Sequence, residues 1–491
     1  MKRILSLVLV LVMLFSAVVM TLTSCGEDKK PADVKPNNNQ NGGGESEDSI
    51  YAEREAIDDE LPERDYKGRT FRIASPRPTE IKVSETAINK GNLILDAKYD
   101  RNQAVENRFN VNVEVVYGST ATSEVNTYVA KTILSGVDEF DLFIGHQGST
   151  GALVLKNLFT NWYDIDYVDF DKPWWADSCK DELTYDGKAI LAVSDLNHQA
   201  IECTYAMFFN KSMAASYELG NLYNIALNGN WTYDTFYGMI KDIWEDDGDG
   251  KKNSNDTFGF VTDGGDQTTQ WLYAFENPIM TKDADGVPQI SLKTSKINDI
   301  VKKIYDLNNN TTGSYFPKDD AWTRSMFIEG KAMFIIARID FADTPDLRNF
   351  TDDYGILPIP KYDENQQSYH TMSYAEQTVL AVPKTAKDLE FVGIITEALS
   401  AESYKKLTPT FYEIALKSRY LRDDESKEVL DIIIENRVFD FGYIYSGTGS
   451  FGSVLHDVVT AGGNFESYYQ QKSRIAGIHY DRVIKAFDKL S

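Results

Sequence analysis

Basic residues are in short supply in this chain of 491 residues. Lys and Arg number 50 against 75 Asp and Glu, for a net charge of −25. So acidic a surface repels nucleic acid and anionic headgroups, which excludes a nucleic-acid partner and weighs against an anionic ligand. Histidine is scarcer still, at five residues, and the three cysteines show no clustered Cys/His spacing, so no zinc signature is present. Also missing are Gly-x-Ser-x-Gly, His-Glu-x-x-His and a Gly-rich phosphate loop ending in Lys, which removes the corresponding hydrolase, protease and nucleotide-binding readings. A glycosidase needs only two carboxylates, so a secreted glycan-acting hydrolase survives this test. No short tandem repeat is present, which argues against a solenoid.

One long apolar run stands at the start. Met1-Lys2-Arg3 is basic, Ile4 to Leu22 is almost wholly apolar, and Leu22-Thr23-Ser24-Cys25-Gly26 follows. An aliphatic residue, two small residues and a Cys form the bacterial lipoprotein cleavage pattern, with the Cys25 thiol taking the lipid. A plain signal peptide or a spanning anchor is the competing reading, because the run approaches the ~20 residues that a span needs. Cleavage before Cys25 would remove Lys2 and Arg3 and no acid, leaving −27. Residues 25–64 contain almost no large apolar side chains and cannot offset the entropy of ordering. They are expected to be a flexible tether of about 40 residues, spanning on the order of 35 Å. Cys179 and Cys203 remain, as one disulfide or as two free thiols.

From about Asp65 onward, short apolar strands alternate with amphipathic helices, the pattern of an α/β protein. Strands are expected at 68–74, 111–116, 141–145, 205–210, 332–337, 354–358 and 378–383. Leu93, Ala97, Ala104, Val105 and Phe109 recur at helical spacing. Further helices are expected at 125–134, 325–329 and 231–244, the last with Thr232 as N-cap. The tail from Asp388 is mostly helical, with Val429 to Ile434 strongly apolar.

Five segments then occur in a telling order: Val137-Asp138-Glu139-Phe140-Asp141-Leu142-Phe143-Ile144-Gly145-His146, Trp174-Trp175-Ala176-Asp177-Ser178, Phe208-Phe209-Asn210-Lys211, Phe327-Ile328-Glu329-Gly330-Lys331-Ala332-Met333, and Tyr354-Gly355-Ile356-Leu357-Pro358-Ile359-Pro360-Lys361. Together with the lipoprotein pattern, this order resembles the extracellular solute-binding proteins of bacterial ABC transporters, of the sugar-binding lipoprotein type. The resemblance implies a two-lobe periplasmic-binding-protein-like α/β fold with a ligand cleft between the lobes. It implies a non-enzyme, a monomer anchored outside the cell membrane, that captures a mono- or oligosaccharide by lobe closure and meets permease subunits. A surface glycan-capture protein without a transporter is the other binding-protein reading. The first lobe is expected over 65–205 plus 322–385, and the second over 206–321 plus 386–491.

Sugars need flat apolar faces and planar polar groups for their hydroxyls. His146 and Gln147 follow a strand expected to end at the cleft. Trp271 follows the turn-rich Asp263-Gly264-Gly265-Asp266-Gln267, and Trp322 is a similar stacking candidate. Arg338 and Asp340 end an apolar strand, and Tyr374 and Glu376 precede another. Each has a plainer alternative as a core or solvated residue.

The stretch 245–256 resembles an EF-hand-type loop after a helix, in which alternating oxygen ligands wrap a hard cation and a glycine permits the sharp turn. Glu245, Asp247 and Asp249 take positions one, three and five, Gly250 six, the Lys251 carbonyl seven, Asn253 nine and Asp256 twelve. The resemblance implies a structural calcium ion, although Glu at the first position and Asp at the last depart from the pattern. The alternative is a solvated acidic turn.

Overall fold

The computed structural model describes residues 47–316, 322–421 and 423–490. The apolar run and Cys25 lie outside the described residues. The sheets are built from strands β1 (Arg69–Ser75), β2 (Val111–Gly118), β3 (Leu142–His146), β4 (Tyr205–Asn210), β5 (Trp244–Glu245), β6 (Thr257–Val261), β7 (Ser314–Tyr315), β8 (Ala332–Arg338), β9 (Tyr354–Leu357), β10 (Thr371–Met372), β11 (Thr378–Ala381) and β12 (Arg437–Val438). The helices that matter below are α1 (Glu47–Glu55), α2 (Leu93–Phe109), α3 (Thr122–Leu134), α4 (Gln147–Val154), α5 (Gly265–Ala274), α6 (Ile297–Asn309), α7 (Trp322–Ile328), α8 (Leu389–Glu402), α9 (Asp424–Glu435), α10 (Phe441–Ile444), α11 (Val454–Thr460) and α12 (Phe465–Asp488).

The first sheet has the order β11-β3-β1-β2, with β1 parallel to β2 and β3, and β11 antiparallel to β3. Its inner strand β3 is buried at every position, whereas the edge strand β2 alternates buried with more exposed residues. Phe71, Ile73, Val111 and Val113 face a core completed by Phe109 of α2 and by Phe391, Ile394 and Ile395 of α8. Helix α2 starts where Asn92 accepts from the amides of Ile94 and Leu95. It stops at Asn110, which adopts the left-handed conformation that Asn tolerates.

The second sheet has the order β9-β4-β8-β6-β5, with β7 alongside β6. Strand β4 is buried at every position and β8 at all but its last, as continuous apolar runs demand when both faces are covered. Three passages of chain meet between the sheets. Thr204 bridges Ser373, the Ile339 amide donates to the Thr204 carbonyl, and the Tyr374 amide donates to the Cys203 carbonyl. Gly151 of α4 packs so closely on α10 that a Cβ there would lie 2.1 Å from the Ile444 carbonyl oxygen.

Several expectations need correction. Strands β8 and β9 pair with β4, so 332–357 belongs to the second lobe and not the first. Helix α8 packs on α2, which moves 389–402 to the first lobe. The helix begun by Thr232 ends at Ile240, short of Trp244. The tether also ends earlier than composition suggests. Residues 47–64 form α1 and an extended strap on the first lobe, where Arg54 donates to the Tyr404 carbonyl and Arg64 to Glu390. Asp59, with its side chain buried, accepts from Arg108 at 2.9 Å. Arg108 keeps the buried Asp59 carboxylate from standing unpaired, which is the costly case. Of the two cysteines left open above, Cys203 is a buried free thiol.

Trp174 and Trp175 are both core residues. Their indole N–H groups donate to the two oxygens of Glu397, at 2.7 and 3.0 Å. Burial pushes the Glu397 carboxyl up to about 8, despite those donors and the Asp169 amide. A folded pKa above the unfolded value means that the folded state holds the extra proton between the two. The Glu397 contribution to stability is therefore full at pH near 4.5 and below, and is lost as pH rises towards 8. Urea unfolding at pH 6 is expected to give a free energy on the order of 2 kcal/mol above that at pH 8.5 from this group. The Glu397→Gln variant, which cannot titrate, is expected to lose that increment. An equal pH dependence in both proteins would show that Glu397 is not its source.

Candidate ligand cleft

A cavity of about 420 Å³ lies at the carboxyl ends of β6 and β8, beside the passage that leads into β11. Its size falls within the usual range for a small-molecule site, ~300–1,000 Å³. Open α/β sheets place ligands at strand carboxyl ends because helix N-termini and loops converge there. The second lobe supplies Asp263, Asp266 and Gln267 around the first turn of α5, with Arg324 from α7 and Arg338 from β8. Tyr374 and Glu376 enter from the passage between the lobes.

A chain of alternating charges runs along this cleft. Arg77 donates to Glu376 at 2.6 Å, and Glu376 lies 3.5 Å from Arg338. Arg338 pairs with Asp340 at 2.7 Å, and Asp340 with Arg324 at 2.9 Å. The Arg338 guanidinium also sits over the Tyr374 ring, 4.7 Å from its centroid. Every member of this chain keeps part of its side chain open to solvent. The arrangement offers fixed N–H donors beside carboxylate acceptors, which suits a ligand with many hydroxyl groups. Burial raises the Asp266 carboxyl, although it faces the Tyr443 hydroxyl and the Ala375 amide.

Of the residues expected here, Arg338, Asp340, Tyr374 and Glu376 come together. His146 and Gln147 do not line the cavity. His146 is buried at the end of β3, where its Nε2 accepts from Arg77 at 3.3 Å and its Nδ1 meets the Thr122 hydroxyl at 3.0 Å. Burial, then the Arg77 charge, pushes its imidazole down to about 4, so a neutral ring backs Arg77. Gln147 donates its amide to the Ser373 and Tyr374 carbonyls and supports the passage from behind. Trp271 is a core residue, 1% exposed, ringed by Tyr233, Phe236, Phe260 and Phe275. It presents no face for stacking, because α5 turns that side inward. Trp322 opens α7, and its side chain lies outside what is described.

Arg77 and Arg324 were not among the expected residues. Arg77 stands between two prolines just after β1, a charge fixed at a strand end, and that is the signal which could have marked it. Nothing in the sequence marks Arg324. A second cavity, of about 450 Å³, lies beside Tyr163, Phe170, Lys180 and Lys282. It is not at the strand ends that define the cleft.

The acidic loop differs from its expected geometry. It follows β5 and not a helix, and the Glu245 carboxylate accepts from the Tyr217 hydroxyl at 2.6 Å. Asp256 is buried, accepting from Trp244 Nε1 and from the amides of Asp247 and Asn253, so it organises the loop from within. The Lys251 carbonyl and Asp249 both accept from the Asn253 side chain. The carboxylates that approach one another are those of Asp246, Asp247 and Asp249, all exposed.

No family model matches the sequence, and no curated protein does. Solved structures do match. UgpB from Mycobacterium tuberculosis, in complex with glycerophosphocholine, superposes with a TM-score of 0.56 at 14% identity, over 85% of this chain and 99% of its own. Lmo0181 from Listeria monocytogenes, an ABC substrate-binding protein in complex with cycloalternan, gives 0.51 at 11%, over 86% and 98%. The GacH receptor of Streptomyces glaucescens, solved unliganded and with acarbose, gives 0.52 at 12%, over 86% and 100%. The fold is thus the two-lobe fold of ABC solute-binding proteins.

Proposed function

We propose that this chain is the extracellular substrate-binding lipoprotein of an ABC importer, capturing a mono- or oligosaccharide between its lobes. The observation that supports it most is the cleft itself: a cavity at converging strand ends, walled by Arg324, Arg338 and Glu376, in a chain with this fold. Two of the three neighbours named above carry ligands rich in hydroxyl groups, cycloalternan and acarbose, and the third carries glycerophosphocholine, a phosphodiester with two hydroxyls. Thermal shift against a panel of mono- and oligosaccharides, with peptides and polyamines as controls, tests the reading. A hit at a hundred times its dissociation constant adds about 2.7 kcal/mol. Stabilisation by one glycan family without turnover supports the reading. Stabilisation by a control solute alone removes the sugar, and cleavage of the glycan replaces the receptor with a hydrolase.

Cys25 is the proposed lipid attachment site. Cys25→Ser is expected to move the protein from the membrane fraction to the medium or periplasm. Retention of the unprocessed variant in the membrane would point to a spanning anchor.

Calcium at the loop is likewise a proposal, now centred on Asp246, Asp247 and Asp249. Calorimetric titration of chelator-treated protein is expected to show one site. Absence of heat at millimolar calcium would leave a solvated acidic turn.

A further inference from the structure

The cleft loop Asp263–Gln267 is held by a residue from near the other end of the chain. Its backbone is unusual: Gly264 has φ 88° and ψ −145°, and Gly265 has φ 52°. The first of these is open only to glycine. A glycine N-cap has no side chain to satisfy the first-turn amides of α5. The Asp263 carboxylate accepts from Gln267 Nε2 at 2.7 Å. The Gly265 amide donates instead to Nδ1 of His456, at 2.9 Å. His456 lies on α11, which packs against α5 and α6.

The loop is also closed in from behind. A Cβ on Gly264 would lie 2.7 Å from the Phe316 ring and 3.2 Å from His456 Cε1. One hydrogen bond and two rings therefore fix where this peptide runs. Asp263, Asp266 and Gln267, all on the cavity wall, take their positions from it.

We infer that His456 is a positioning residue for ligand binding, capping α5 from outside and holding the cleft loop in its ligand-facing form. The inference rests on the binding role proposed above. The bond requires the tautomer that carries its proton on Nε2, since Nδ1 accepts only when unprotonated. Asn at 456 can keep an acceptor near the Nδ1 position, whereas Leu fills the space with none.

The test compares the full chain with its His456→Asn and His456→Leu variants. Amide exchange is followed at residues 262–268, and affinity is measured with maltotetraose as probe. Loss of the cap in His456→Leu is expected to speed exchange at Gly265 about tenfold and to weaken maltotetraose binding about tenfold, the worth of roughly one hydrogen bond. His456→Asn is expected to restore both. Wild-type exchange in His456→Leu, or an Asn variant as impaired as the Leu variant, would overturn the inference. A wild-type chain that does not bind maltotetraose counts against this oligosaccharide as a ligand of the proposed cleft. The exchange rates then decide the cap by themselves.

Discussion

Trp271→Ala is expected to lower the free energy of unfolding by about 3–5 kcal/mol, the cost of emptying an aromatic core site. Its ring packs against Phe275, Tyr233, Phe236 and Phe260, with centroids between 5.5 and 6.4 Å away. Those rings come from three segments of the second lobe, the helix Tyr233–Ile240, β6 and the end of α5, so collapse around the hole is poor. Urea denaturation measures the loss. A ligand-stacking Trp would behave differently, weakening binding with little change in stability. A variant that unfolds at the wild-type midpoint would therefore place Trp271 at the ligand after all.

Arg338→Ala is expected to weaken ligand binding by about 30-fold to 1,000-fold, the usual range for removing one partner of a partly buried charge pair, ~2–4 kcal/mol. The guanidinium links Asp340 to Glu376 and covers Tyr374. Without it, two carboxylates remain close together with one cation fewer between them. Titration against the glycan that stabilises the chain measures the effect. Arg338→Lys keeps the charge but not the planar fork, and an intermediate affinity is expected. Wild-type affinity in Arg338→Ala would remove this residue from the site.

The two predictions also mark where sequence reading stops. Strands β1, β2, β3, β4 and β8 were legible because apolar periodicity is local, and each is bounded by a turn or a helix signal. Pairing is not local. Nothing in Ala332 to Ala337 says that its neighbour is β4 and not β3, which is why 332–357 was expected in the wrong lobe. The strap at 47–64 was hidden for the same reason. Asp59 and Arg64 read as solvated charges until Arg108 and Glu390 are seen beside them. Within the cleft, Arg338 and Glu376 were marked by their places at strand ends. Arg77 also follows a strand end, between two prolines, and its pairing with Glu376, 299 residues away, is seen only in the fold. Trp271 misled because a Trp after a turn-rich loop fits a platform and a core anchor equally. Only the burial of α5 separates the two. The acidic loop misled through register, since the Tyr217 hydroxyl that engages Glu245 belongs to a distant segment.

The central claim is that a glycan binds between the lobes at the Arg338–Glu376 chain. Hydrogen exchange, with and without the glycan that raises Tm most, tests it directly. The account predicts protection concentrated in 263–267, 338–340 and 374–376, the segments that wall the cleft. Protection centred instead on Tyr163, Phe170 and Lys180, around the other large cavity, would contradict it.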